Sequence, residues 1–480
     1  MYAELVALKD IFDPQRLLTP GRVVEGPPIA TNLRFGSGYR DRSGWTPRLD
    51  YEAEGGLDLA VERCFGAGLC KKTVGSMCPP AMVDRDEWLT TRARANALQA
   101  IVAGAVPLSS VGDREFEQVL GTCLACKACK SECPSSVDMA KLKAEFLQHY
   151  YDSRGTPLRA RLIAAFPQLL GLAAHAPWAW NAVFGTPALR RLANRTAGFH
   201  PARTIPLLDK TTLRQWFARR PRQAHPAPNG CVAVFCDEFT DTFDVAIGIA
   251  AVELLEGLGY QVVIPNHVAS GRSALSKGLL RQARALARRN VALLKDVVSA
   301  ELPLIGIEPS AILAFRDEYP DLLRGDEKRA ALELSRHCLM FDEWFVREMD
   351  AGHLPAEAFR ECVRTVKLHG HCHQQALASL APTVRMLERV PGQRVEVIPA
   401  ACCGMAGAFG YESEHYDVAN AIGELTLFPA VRAAGPEVLI AAPGTSCRHQ
   451  ILDGTGRRAQ HPVELMRTAL TVVCFSPRKC

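Results

Sequence analysis

The chain has 480 residues, 48% of them hydrophobic and 22% charged, with Lys and Arg exceeding Asp and Glu by five. That length has room for several globular domains. The mild positive balance includes no basic run interleaved with aromatics, which argues against a nucleic-acid partner. The opening "MYAELVALKDIFDP" reads as an amphipathic helix end, not a secretory signal, so the 17 cysteines are expected to be metal ligands in a reducing cytoplasm.

In chain order, residues 1–48 hold a short helix and then a Gly/Pro-rich extended run, a tail too short to fold alone. Residues 49–157 alternate cysteine motifs with helices and predict an all-helical domain. Its helix "DMAKLKAEFLQHYY" should start on Asp138 as N-cap and place Met139, Leu142, Phe146, Leu147 and Tyr150 on one face. Residues 158–228 read as a helical and then Pro/Arg-rich connector. Within it, Leu162 to Gly185 carries no Asp, Glu, Lys or Arg. Pro167 and Pro177 break that stretch, and His175 and Asn181 interrupt its apolar surface, so a membrane span is not expected. Buried helices are the plain reading. Docking on a membrane surface or a partner is the other, suggested by Trp178, Trp180 and the flanking Arg159, Arg161, Arg190 and Arg191.

From residue 229 the pattern changes. Six short β-rich runs, "CVAVF", "QVVIP", "LPLIGI", "TVKLHG", "VEVIP" and "VLIAA", alternate with helical segments and predict parallel sheets with crossover helices. "VVIPNHVASG" resembles "EVIPAACCGMAG", and "LIGIEPSA" resembles "LIAAPGTSC"; Ile264 lies 41 residues before Ile305, and Ile398 lies 42 before Ile440. These runs predict a duplicated unit, with copies over 229–345 and 346–480. The expected fold class is α+β multidomain: an all-helical cysteine-bearing domain followed by a duplicated α/β parallel-sheet domain.

Residues 123–134, "CLACKACKSECP", match the spacing of an iron–sulfur ligand run. In C-x2-C-x2-C the chain can curl so that Cys123, Cys126 and Cys129 converge on one cluster, while Cys133, followed by Pro134, ligates the other cluster of a pair. Zinc would favour two separated pairs. The upstream run "CFGAGLCKKTVGSMCPP" supplies Cys64, Cys70 and Cys78, with Ala67 where a middle cysteine would stand. Crossed ligation then groups Cys78 with Cys123, Cys126 and Cys129 as a complete set. Cys64, Cys70 and Cys133 form a set one thiol short. One 4Fe-4S cluster is expected; for the short set the spacing leaves open a three-iron cluster, a distant fourth ligand, or none.

Three loops of the last unit carry cysteine directly after a predicted strand: Cys372 in "HGHCHQQ", Cys402 and Cys403 in "AACCGMAG", and Cys447 in "GTSCRHQ". Ligand sites of open parallel sheets lie outside the carboxyl ends of the strands, so the three loops can meet at one rim. His371, His373 and His449 add ligands or proton carriers. A metal or cluster site is expected there, with a redox-active thiol pair or plain core packing as alternatives. The first copy has Cys236, His267, Ser310 and Ala311 at the matching places and reads as scaffold or partner surface. Cys231, Cys338, Cys362, Cys474 and Cys480 have no informative spacing and default to core or surface thiols.

Taken together, "RCFGAGLC", "MCPPAMVDRDEWLTTRARANAL", "CLACKACKSECPSSVDMAKLKAEFLQ", "IEPSAILAFRDEYPDLL", "HGHCHQQAL", "CCGMAGAFGYESEHYDVA" and "PGTSCRHQI" resemble the iron–sulfur half of FAD-linked D-2-hydroxyacid dehydrogenases, acting on D-lactate or D-2-hydroxyglutarate. The rim cysteines resemble the cysteine-rich CCG domain shared with heterodisulfide reductase and with anaerobic glycerol-3-phosphate dehydrogenase iron–sulfur subunits. That motif normally closes with C-x-x-C; here Gln450 replaces the last cysteine. "YAELVALKDIFDPQRLLTPGRVV" is similar to the last helix and tail of an FAD-linked oxidase domain, as if the chain were the C-terminal portion of a fused enzyme. The resemblance implies a ferredoxin-type 4Fe-4S domain and a CCG domain that passes electrons from flavin to a quinone or protein acceptor. FAD and the D-2-hydroxy acid are then expected only on a partner FAD-binding oxidase subunit or domain. The implied setting is cytoplasmic, with any membrane contact peripheral and on the inner face. A heterodisulfide-reductase-like thiol/disulfide enzyme and a metal-bearing assembly module are the alternatives.

Overall fold

The computed structural model describes residues 1–31, 44–220 and 229–471. Cys474 and Cys480 lie outside the described residues. From Trp45 to Arg154 the regular elements are helices and short 3-10 turns only, as expected. Helix Met139–Arg154 starts where the sequence says it should: the Asp138 carboxylate accepts from the Lys141 amide at 3.0 Å. Met139, Leu142, Phe146 and Leu147 are buried. Glu145 of the same helix accepts from the amides of Arg48 (2.7 Å) and Leu49 (2.8 Å). Those bonds tie down a segment whose Trp45, Leu49 and Tyr51 are buried, so packing begins slightly before residue 49.

The apolar stretch after residue 158 becomes four short helices, Leu158–Ala164, Phe166–Ala173, Pro177–Gly185 and Pro187–Ala197, three of them with proline in the first turn, where its missing N–H costs nothing. Among the described residues no helix is long and apolar enough to cross a membrane. Burial holds for one side only. Ile163, Ala164 and Leu170 are inside and Trp180 packs on Phe166, Phe184 and Phe243, but Leu172 is 70% and Trp178 75% exposed.

The remainder is built on two small parallel sheets. In the first, β1 (Cys231–Phe235), β2 (Gln261–Val263), β3 (Leu304–Gly306) and β4 (Cys338–Met340) stand in the order β2-β1-β3-β4. In the second, β5 (Arg364–Leu368), β6 (Gln393–Val397) and β7 (Leu439–Ala441) stand in the order β6-β5-β7. All six expected strands are present. Sequence reading missed β4, a three-residue edge strand too short to show a period. An isolated parallel bridge from Ala441 to Gln460 stands where β4 would be in the second sheet, so the two copies share one order.

Burial ties these parts together. One apolar cluster runs from Leu98 and Phe146 of the cysteine-bearing helices into Phe235, Phe315 and Met340 of the first copy. A second joins Val232 and Ile305 of the first copy to Val366, Leu368 and Ala441 of the second. Each such side chain contributes roughly 1.5–3 kcal/mol on burial. The first copy is thus the keystone between the cysteine helices and the second copy.

Glu412 staples the connector to both copies. Its buried carboxylate pairs with Lys277, with Arg159 at 3.4 Å and with His415 at 3.0 Å. Burial opposes ionisation, yet the bonds from His415 and Lys277 pull its pKa down to about 2. A depressed carboxyl pKa stabilises the fold above the unfolded value near 4.3 and loses that contribution as pH falls through the folded value. Glu412→Gln is therefore expected to cost roughly 3 kcal/mol at pH 7. The gap between the variant's and wild type's urea midpoints should shrink from pH 5 to pH 3; a gap independent of pH contradicts the assignment.

Candidate metal and thiol sites

The loop carrying Cys123, Cys126 and Cys129 is curled by two non-glycine residues in the left-handed region, Ala125 (φ 52°) and Lys127 (φ 62°); Cys78 (φ 56°) does the same across from them. Each costs roughly 1–2 kcal/mol, and the surrounding packing imposes it. Burial, and then Asp138 and the neighbouring thiols of Cys123 and Cys78, push the Cys129 thiol far up. Burial and then Cys372, Cys129 and Cys123 do the same to Cys126. Cys78 is raised by burial and by Cys123, against a lowering contribution from Arg94. Thiols that raise one another in this way form one neighbourhood, and a cation placed among them relieves the repulsion. Cys78, Cys123 and Cys129 thus act on one another, as Cys123, Cys126 and Cys129 do, and the donor chemistry of these thiols fits an iron–sulfur cluster.

Amides already point at the sulfurs. Thr91 donates to Cys78 at 3.1 Å, Arg92 to Cys70 at 3.4 Å and Ala125 to Cys123 at 3.4 Å. Such bonds favour thiolate and tune cluster potentials. Arg94, fully buried, is held by the Val119 carbonyl at 3.0 Å and the Thr122 hydroxyl at 2.8 Å. Lys143 donates to the Cys123 carbonyl at 2.6 Å, and burial lowers its pKa to about 8. Reading the cysteines alone misses these cations; the run "TTRARANAL" beside Cys78 is the signal that leads to Arg92 and Arg94.

The short set also assembles. Cys64, Cys70 and Cys133 line one small pocket together with Ala67, Met77, Thr91 and Ser135. The pocket offers three thiols, and Ala67 stands on its wall where the fourth would be.

At the rim of the second sheet the thiols of Cys372, Cys402, Cys403 and Cys447 form a continuous string. Cys403 and Cys447 lie within 4.8 Å of one another, and Cys402 and Cys372 share one packing cluster beside them. The neighbouring thiols of Cys402 and Cys447 hold Cys403 well below the usual thiol range, against burial. Cys372 is lowered to about 7 by its bond with Cys402, against burial. Gly404 (φ 92°) completes the motif because a Cβ there would lie 2.0 Å from the Ala419 carbonyl. Of the histidines expected at the rim, His371 lies beside Cys372, and His373 bonds to the Ala125 carbonyl at 3.0 Å. His449 lies instead beside Asp244 and Asp453. In the first copy, His267 accepts from the Cys236 amide at 3.1 Å and from Arg214, a closed polar network.

The two sites touch. Cys126 and Leu124 pack in one cluster with Cys402, Cys372, Phe409 and Ile422, and the His373–Ala125 bond locks the ligand loop onto the rim. This contact across about 250 positions is not readable from spacing. Gln450 takes no part in the thiol string: buried Arg203 of the connector donates to its side-chain oxygen at 2.6 Å, and its nitrogen donates to Ala419 at 3.0 Å. Among the remaining cysteines, Cys231 is exposed, Cys338 buried and Cys362 half-buried, all free.

Two groups of thiols on helices, one of them docked on a thiol-lined parallel-sheet rim, are the arrangement an iron–sulfur domain with a cysteine-rich α/β partner would need. The comparisons agree. Residues 60–137 match the 4Fe-4S dicluster domain family. The chain is 26% identical to D-2-hydroxyglutarate dehydrogenase of Escherichia coli (strain K12), over 97% of this chain and 49% of that protein. It is 27% identical to a subunit of anaerobic glycerol-3-phosphate dehydrogenase from the same organism, over 60% and 72%. It is 28% identical to lactate utilization protein A of an Exiguobacterium strain, over 50% and 95%. The chain spans about half the length of the D-2-hydroxyglutarate dehydrogenases it matches. No solved structure matches it. The resemblance to the iron–sulfur part of dehydrogenases is borne out.

Proposed function

We propose that this chain is the iron–sulfur electron-transfer component of an FAD-linked dehydrogenase for a D-2-hydroxy acid, working with a flavin-bearing partner protein or domain. What supports this reading is the packing of the Cys123–Cys129 loop against the thiol-bearing rim, in a chain whose relatives include dehydrogenases. Those four thiolates hold one 4Fe-4S cluster, and Cys64, Cys70 and Cys133 hold a second. When bound, such clusters supply one-electron transfer between the flavin and a quinone or protein acceptor.

The chain's own residues set the conditions. Arg94 and Lys143 bring positive charge to the complete set, and the Thr91 and Ala125 amides bond its sulfurs. Apolar neighbours exclude water from Cys78 and Cys129. Cys126 and Cys372 pack against one apolar cluster, so a cluster held by the complete set would stand beside the rim. Membrane contact, where it occurs, is peripheral, through the exposed Leu172, Trp178 and Leu192 beside the exposed Arg191.

Anaerobic purification should give a brown protein without flavin. It should carry roughly seven to eight irons with matching sulfide, and a spin-resonance signal that appears on dithionite reduction. An iron-free, colourless preparation overturns the reading. The thiol/disulfide alternative rests on the Cys372–Cys402 bond and the lowered Cys372, and it requires turnover of a disulfide without any flavoprotein.

A further inference from the structure

His369 follows β5 directly, and its amide donates to the Ala441 carbonyl of β7 at 2.8 Å, so sheet pairing fixes its backbone at the rim. Its side chain is completely buried, and neither ring nitrogen has a hydrogen-bond partner of good geometry. Two other buried histidines satisfy both of theirs, and buried His373 leaves only Nδ1 without one. His461 accepts from Val463 at 3.1 Å and meets the Ile307 carbonyl at 3.3 Å; His267 meets Val268 at 2.9 Å and Cys236 at 3.1 Å. Leaving an imidazole buried and unpartnered costs about 1–3 kcal/mol. What lies beside the ring is sulfur: a His369 nitrogen and the sulfurs of Cys403 and Cys447 are all within 4.8 Å of one another.

We propose that His369 is a metal ligand, its ring nitrogen joining Cys403 and Cys447 around one borderline-soft divalent transition ion of the zinc or iron(II) class. This deepens the rim reading above and rests on it. Bonds of about 2.3 Å to sulfur and 2.0–2.1 Å to nitrogen put tetrahedral donors roughly 3.5–3.8 Å apart, so the three need close by only about 1 Å. Cys402, adjacent to Cys403 in the chain and buried, is the next sulfur along for the fourth position. Imidazole thereby supplies the donor that the motif's last position cannot, since Gln450 is held away by Arg203 and the Ala419 carbonyl. Gly444 leaves room beside the Cys447 sulfur: a Cβ there would lie 3.2 Å from it and 2.4 Å from the His371 ring. Mixed N/S ligation suits zinc and iron and disfavours magnesium or calcium, which take oxygen.

The test uses the full chain, purified anaerobically as wild type, His369→Ala and His369→Cys. It reads metal content, resistance to chelator, X-ray absorption at the zinc and iron edges, and the spin-resonance signal of the Cys123 set. Wild type should show an imidazole nitrogen in the shell of an ion bound outside the Cys123 set. His369→Ala should lose about one metal equivalent or bind it at least roughly tenfold more weakly. His369→Cys should regain the ion with a sulfur-only shell. Equal metal content and chelator resistance in wild type and His369→Ala, or a sulfur-only shell in wild type, overturns the proposal. Should the alanine variant fail to fold, the wild-type shell and the cysteine variant decide alone. An unchanged Cys123-set signal in the variants confines a failure here to the rim. A missing signal in wild type that still binds the ion through nitrogen overturns the electron-transfer reading instead.

Discussion

Cys129→Ser should strip the complete thiolate set of its cluster: about four irons per chain lost, the dithionite-reducible signal abolished and roughly half the visible absorbance gone. Cys129 is the deeply buried member of its run and interacts with both Cys123 and Cys78, so no neighbouring thiol can replace it. Serine oxygen is harder and much less acidic than thiolate, a poor donor for this site. Because ligands meet only in the folded chain, the free energy of metal binding is also folding free energy. The helical region from Trp45 to Arg154 should therefore lose thermal stability and protection from proteolysis. Cys231→Ser, at an exposed position, is the control and should leave iron and stability at wild-type values. Full iron retention in Cys129→Ser would remove Cys129 from the ligand set.

The second large effect is electrostatic. Lys127, only 3% exposed between two of the ligand cysteines, meets Asp317 at 2.5 Å, Glu318 at 3.5 Å and Asp138 at 3.6 Å; Lys130 meets Asp317 at 2.5 Å as well. Burial disfavours the Asp317 charge, but Lys127 and Lys130 overcome it and hold the carboxyl far below its usual range. Asp317→Ala leaves a buried ammonium short of its nearest anion, a change that costs about 3–5 kcal/mol. With a depressed native pKa, the Asp317 contribution is fully present above the unfolded value near 3.9 and lost as pH falls. The deficit in a denaturation experiment should thus be constant from pH 6 to pH 8 and shrink only in strong acid. Replacing both partners, Lys127→Met with Asp317→Leu, should destabilise less than Asp317→Ala alone, since no charge is left buried. If the double variant is the worse of the two, the network is not what fixes the ligand loop.

Much of the site was legible because chelation by a curled loop is a local property. C-x2-C-x2-C has to place its sulfurs within one turn of chain, so spacing alone names Cys123, Cys126 and Cys129, and the strand-end positions of Cys372, Cys402, Cys403 and Cys447 follow from the alternation of strands and helices. His369 was passed over although it stands in the same quoted run as Cys372. Three histidines in five residues look alike in sequence, and only the pleat, the β7 pairing and the packing decide which ring turns toward Cys403. Lys127 and Asp317 lie 190 positions apart, and no pattern in either neighbourhood announces the other. The apolar face at Leu172 and Trp178 was ambiguous for a related reason: period shows that a helix has two faces, not which one the rest of the chain covers.

The amino-acid order by itself determined the C-x2-C-x2-C cysteine run, the alternation of parallel strands and helices and the dehydrogenase resemblance, since each depends on contacts or repeats short enough to be written in consecutive residues. Only the tertiary structure decided that Cys126 and Cys372 pack in one cluster, that Arg203 captures Gln450 and that the His369 ring faces Cys403 and Cys447. Those outcomes come from how separately formed elements dock, and docking is fixed by the burial of surfaces drawn from the whole chain.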